Sequence, residues 1–128
     1  MDLVTVILVL ALLQYIAFAM LVGGARGKYG VKAPATTGHE VFERYFRVQQ
    51  NTLELLVVFV PAIWLFGQYV STLWAAILGL VYLVGRVVYL KSYVADPAKR
   101  SAGFGLSFLP IAVMLIGVLI GAGMKLLA

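Results

Sequence analysis

No charged residue lies between Leu3 and Ala25, and the stretch is dominated by Leu, Val, Ala and Ile. An apolar run of about 20 residues matches the hydrocarbon thickness of a bilayer when it is coiled as a helix. Uncharged runs recur from Leu55 to Gly67, from Leu73 to Gly85 and from Ala102 to Met124. Hydrophobic residues make up 63% of the 128, well above the roughly 45–50% apolar content of a soluble domain. Lipid offers no hydrogen-bond partners to the backbone, so a spanning chain is helical or a closed barrel. Continuous apolar runs, rather than alternating segments of about ten residues, select helices. The expected fold is an all-α integral membrane protein, a single domain over residues 1–128 forming a four-helix transmembrane bundle.

The first run could be mistaken for a secretory leader, because it contains Ala17-Phe18-Ala19. No basic segment precedes it, however, and about 20 apolar residues is long for a leader core. It reads as a retained first span from Leu3 to about Ala25. The loop Arg26 to Pro34 comes next. Thr37 and Glu40 have the spacing of a capping box, which starts the second helix, about Gly38 to Gly67, with Pro61 expected to kink it. A turn from Gln68 to Thr72 leads to a third helix, about Leu73 to Tyr93. Asp96-Pro97 then signals the start of the fourth, which runs to about Leu126 with loosening expected at Gly103 and Gly105.

Charge orients the bundle. Of ten Lys and Arg, five fall between Arg26 and Arg47 and four between Arg86 and Arg100, leaving only Lys125 at the opposite end. The positive-inside rule places both clusters in the cytoplasm and both termini away from it. The net charge of +5 is thereby explained without nucleic acid. There are no cysteines and only one histidine, His39, so disulfides and thiol nucleophiles are excluded and no metal is expected.

Three polar clusters stand out against this apolar background. Arg47, Asn51 and Glu54 sit at i, i+4 and i+7 and share a helix face. Glu54 lies roughly 10 Å deeper than Arg47, at 1.5 Å per residue, where a carboxylate costs at least about 2.5–3.5 kcal/mol on insertion scales. Arg86, Tyr89 and Tyr93 share a face at the basic end of the third helix. Arg100 stands near the positive end of the fourth helix dipole, a position useful if an anion sits opposite. Together the clusters offer cations, one carboxylate, an amide and phenols on three helices. That set suits a small polyanionic zwitterion, such as a peptide with a carboxylate at each end.

These residues carry a family resemblance over nearly the whole chain. Thr36-Thr37-Gly38, Phe42-Glu43-Arg44, Arg47-x-Gln49-x-Asn51-x-x-Glu54, Gly79-Leu80-Val81-Tyr82-Leu83, Arg86-x-x-Tyr89-x-x-x-Tyr93 and Arg100 succeed one another in order. The ordered set resembles the membrane-associated proteins in eicosanoid and glutathione metabolism, the MAPEG family. It is most similar to the leukotriene C4 synthase and microsomal glutathione transferase branch. The resemblance implies a homotrimer that binds glutathione as co-substrate between neighbouring subunits. It implies that Arg100 stabilises the glutathione thiolate. Arg47, Asn51 and Glu54 would hold the tripeptide's backbone and charged ends, and Arg86, Tyr89 and Tyr93 belong to the same pocket. Arg26 and Gln49 match further positions that contact the tripeptide. The second substrate would be a lipophilic electrophile or lipid hydroperoxide arriving through the membrane lipids.

Two departures bear on activity. Leu55 replaces a tyrosine common in the eicosanoid branch, and Gly27 replaces an arginine assigned proton donation in some members. Both argue against a dedicated leukotriene synthase. The expected function is a membrane-embedded glutathione transferase, with peroxidase activity as an extension, in a bacterial inner membrane with its site on the cytoplasmic side. A non-catalytic lipid-binding scaffold of the same family is the alternative. A small multidrug transporter is a weaker one, since those proteins keep their carboxylate in the first helix, which here has no charge from Leu3 to Ala25.

Overall fold

A computed structural model describes residues 1–128. Four helices occupy nearly all of them: α1 (Asp2–Tyr29), α2 (Glu40–Tyr69), α3 (Thr72–Ala95) and α4 (Ser101–Leu127), with a single 3-10 turn at Pro97–Lys99 before α4. All four are long and apolar enough to cross a membrane.

The helix ends obey local chemistry, and several differ from the sequence expectation. Helix α1 continues through Arg26-Gly27-Lys28-Tyr29, part of the expected loop, and stops at Gly30, whose φ of 70° is left-handed. Val31 N–H then returns to the Arg26 carbonyl at 3.1 Å. Arg26 and Lys28 in the last turn suit the negative end of the helix dipole. The expected capping box does not form. Gly38 has φ 140°, a conformation no helix start can include, so Thr37 cannot be the cap. His39 caps α2 instead, its Nδ1 accepting from Val41 N–H at 3.1 Å, while its ring stacks on Tyr29 with centroids 4.1 Å apart. Glu43 accepts from Gly38 N–H at 3.1 Å, and Glu40 pairs with Arg44.

Pro61 lies inside an unbroken α2. Ser71 caps α3 by accepting from Trp74 N–H at 3.1 Å, which confines the expected turn to Val70 and Ser71. Asp96 is a cap, as expected, accepting from Ala98 N–H at 3.0 Å. The element it caps, however, is the 3-10 turn and not α4. Arg100 sits at the join between that turn and α4.

Close packing of α3 on α4 depends on glycine. A Cβ on Gly85 would lie 2.7 Å from the backbone of Leu106 and Ser107, and one on Gly103 would lie 2.4 Å from the backbone of Tyr89. Gly103 is thus a point of contact within a regular helix, not a loosening. Small residues let helix backbones approach in this way where lipid supplies no hydrophobic drive. The main core joins all four helices through Val4, Ile7 and Ala11, Phe59 and Ile63, Ala75 and Tyr82, and Ile111 and Met114. Phe59 and Tyr82 stack at 3.9 Å. Leu13, Met20, Leu109, Ile116 and Leu119 point outward, as expected of a surface solvated by acyl chains.

Candidate functional site

The polar clusters of α2, α3 and α4 meet at the end of the bundle where α3 turns into α4. There a cavity of about 640 Å³ is lined by Arg47 and Asn51 from α2, Tyr89 and Tyr93 from α3, and Arg100, Ser101, Phe104 and Gly105 from the start of α4. Its size falls within the range of about 300–1,000 Å³ typical of small-molecule sites. Each wall has a local cause. The i, i+4 spacing puts Arg47 and Asn51 on one side of α2. The same spacing stacks Tyr89 on Tyr93 at 5.5 Å. The 3-10 turn brings Arg100 to the rim, where its Nη1 donates to the Pro97 carbonyl at 2.9 Å.

The lining contains two guanidinium groups and no carboxylate. The lining Arg47 meets one acid from outside it, Glu54, at 3.5 Å. Both side chains are about half exposed, 49% for Arg47 and 59% for Glu54. The carboxylate expected to be buried is therefore on the outer surface of its own chain.

Arg86 lies behind the cavity rather than in it. It is 0% exposed. Its Nε donates to Ser107 Oγ at 2.8 Å, and its Nη1 donates to Asn51 Oδ1 at 2.7 Å and Thr52 Oγ1 at 3.1 Å. The guanidinium also lies 4.4 Å from the centre of the Tyr89 ring. Ser107 in turn donates to the Gly103 carbonyl at 2.7 Å.

The structure thus brings together Arg47, Asn51, Tyr89, Tyr93 and Arg100 around one cavity. It does not bring Arg26, Gln49, Glu54 or Arg86 into the lining. Arg26 lies over the Phe42 ring at 4.8 Å and donates to the Ala35 carbonyl, and Gln49 donates to Tyr15 Oη at 3.5 Å. Sequence reasoning overlooked Phe104 and Gly105 in the lining, and Thr52 and Ser107 around Arg86. Ser107 had a signal, since it stands seven residues after Arg100 and so shares its face. Arg44 was also overlooked as a cross-link, with Nη1 donating to the carbonyls of Val94 at 3.0 Å and Ala95 at 3.3 Å.

Comparison with known proteins matches the MAPEG family over residues 4–120. The chain is 41% identical to human microsomal glutathione S-transferase 2 over 114 residues, 89% of this chain and 76% of the relative. It is 48% identical to an uncharacterized protein of Synechocystis over 111 residues, 87% of this chain and 81% of that one. Bovine leukotriene C4 synthase is 36% identical over 85 residues, 66% of this chain and 57% of the relative.

Proposed function

The chain belongs to the MAPEG family, and from that premise we propose that it is a glutathione transferase acting on lipophilic electrophiles. Four helices of spanning length make it an integral membrane protein. The observation that carries the proposal is the cavity itself: Arg47, Asn51, Tyr89, Tyr93 and Arg100 converge from three helices on a space with two cations and no acid in its lining. Glutathione carries two carboxylates and an ionisable thiol, so a donor-rich cavity suits it. The name of the microsomal glutathione S-transferase relatives points to the same co-substrate.

In this reading Arg100 faces the sulfur. A free thiol titrates near 8.5, and an adjacent guanidinium favours the anion. The thiol proton leaves to solvent. The thiolate sulfur then forms a bond to the electrophilic carbon, and the leaving group departs with its electron pair. Arg47 and Asn51 hold the tripeptide, and Glu54 takes its ammonium once the ligand's carboxylate has replaced it at Arg47. The electrophile arrives by partition from the bilayer, and the site faces the cytoplasm.

Glu54 and Arg47 are half exposed on a helix of spanning length, and isolated charges within a span are expensive. A homotrimer covers them. Arg26 and Gln49, absent from their own chain's cavity lining, complete the cavity of the neighbouring copy. The test is glutathione thiolate absorbance and conjugation of a model aryl halide in wild type and Arg100→Ala. Loss of both on substitution is expected, and retention of both would overturn the assignment of Arg100.

A further inference from the structure

Arg86 has a placement that packing alone does not explain. It is fully buried, yet its side-chain partners are all neutral: Ser107, Asn51 and Thr52. Burying a cation with no carboxylate beside it carries a desolvation cost that neutral hydrogen bonds offset only in part. A cation kept in this position is therefore expected to do something for its neighbours. Those neighbours belong to the walls of the candidate site. Asn51 and Tyr89 line the cavity, and Ser107 hydrogen-bonds the carbonyl of Gly103, two residues before the lining Gly105.

We propose that Arg86 is a positioning residue which fixes the polarity of Asn51, so that the cavity meets its ligand with the amide N–H₂ and not with the amide oxygen. A guanidinium has five N–H donors and no acceptor. Only the oxygen of Asn51 can face it, and that oxygen is 2.7 Å from Arg86 Nη1. The N–H₂ end is left for the ligand side. An unrestrained asparagine could present either end and so accept a ligand N–H as readily as donate to a ligand oxygen. With Arg86 behind it, Asn51 joins Arg47 and Arg100 as a donor. The site then selects ligand groups that only accept, a carboxylate or an amide carbonyl, at this position. This inference rests on the glutathione reading above and makes Arg86 a residue that acts through Asn51 rather than on the ligand.

The test uses the full-length protein in detergent and measures glutathione binding by calorimetry, with KM and kcat for glutathione against an aryl halide. The informative variant is Asn51→Asp. It keeps an acceptor for Arg86, now as a buried ion pair, but removes the N–H₂ donor. The expected result is a thermal midpoint no lower than wild type, a glutathione KM raised by about tenfold or more, and kcat changed by less than about threefold. Partial misfolding would lower kcat by removing active sites, so the split separates positioning from structural damage. Arg86→Gln, which can accept as well as donate and so releases Asn51 to present either end, forms a cycle with Asn51→Ala and the double variant. If Arg86 works through Asn51, Arg86→Gln weakens glutathione binding in the wild-type background and adds nothing in the Asn51→Ala background. Wild-type affinity in Asn51→Asp overturns the inference, as does full additivity in the cycle. If Arg86→Gln does not fold, Arg86→Lys decides: as another donor-only side chain it keeps glutathione affinity within about threefold of wild type, and a larger loss overturns the inference. If wild type itself does not bind glutathione, the functional reading fails with it; if wild type binds and only the variants disagree, the positioning role alone fails.

Discussion

Gly103 rests directly on the backbone of Tyr89: a Cβ added to Gly103 would lie 2.4 Å from both the Cα and the N of Tyr89. This contact sets how closely the start of α4 approaches α3, and so sets the span between Arg100 and the two tyrosines across the cavity. No flexible side chain is available to yield, because the opposing atoms are backbone. Gly103→Ala is expected to destabilise the protein by about 1–3 kcal/mol through overpacking and to lower glutathione affinity by widening the cavity. Gly123→Ala, with nothing within 4 Å of the new methyl, is the control and should leave the melting temperature unchanged or raised. Thermal unfolding in detergent compares the two. Equal behaviour would show that the helices move apart freely.

Arg44 ties the beginning of α2 to the end of α3 by donating to the Val94 and Ala95 carbonyls. Those carbonyls have no partner within a helix that is ending, and the turn carrying Arg100 begins just beyond them. Arg44→Ala should cost about 1–3 kcal/mol, the range for a lost charge-assisted bond to a partly buried acceptor. Hydrogen exchange should rise first in residues 94–100. Unchanged protection there would show that the turn holds itself.

The Arg47–Glu54 pair allows a charge-swap test. Each side chain is about half exposed, so the pair adds only about 0–1 kcal/mol to stability when screened by solvent. Arg47→Ala should therefore fold well and bind glutathione at least about tenfold more weakly. The swap Arg47→Glu with Glu54→Arg keeps an ion pair but puts a carboxylate into the cavity wall. It should fold and not bind. Binding by the swapped protein, read by calorimetry, would show that charge at position 47 is irrelevant.

Complementation tests the shared site. If Arg26 of one copy serves the cavity of the next, Arg26→Ala and Arg100→Ala chains are each nearly inactive alone. Co-expressed, they should form mixed trimers in which some cavities keep an intact Arg100 beside a neighbour with an intact Arg26. Activity above the sum of the two parents is the expected result, and simple averaging would place each site within a single chain.

The four spans and the shared polar faces were legible in the sequence because both signals are local. A span is a run of apolar residues, and a face is a spacing of three, four or seven. Arg47 with Asn51, and Tyr89 with Tyr93, met around the cavity as their spacing required. Features that depended on distant parts of the chain were not legible. The periodicity put Arg86 on the face of Tyr89 and Tyr93, but whether it reached the cavity was decided by Ser107 on another helix. Gly103 looked like a soft spot because a glycine in a sequence cannot say whether it faces empty space or a backbone 2.4 Å from its missing methyl. The cap of α2 moved to His39 because Gly38 takes a positive φ, which the Thr37–Glu40 spacing does not encode.

The cage around Arg86 also bears on how the protein is made. Until α4 docks, helix α3 holds an arginine that costs about 2.5–3.5 kcal/mol at a span centre. Asn51 and Thr52 on α2 can take one guanidinium nitrogen without α4. The Nε hydrogen waits for α4. Docking of the last helix is thus coupled to the burial of that cation, and the same event closes the Gly103–Tyr89 contact and delivers Arg100 to the rim. Within one chain, the step that completes the bundle also brings the cavity walls together.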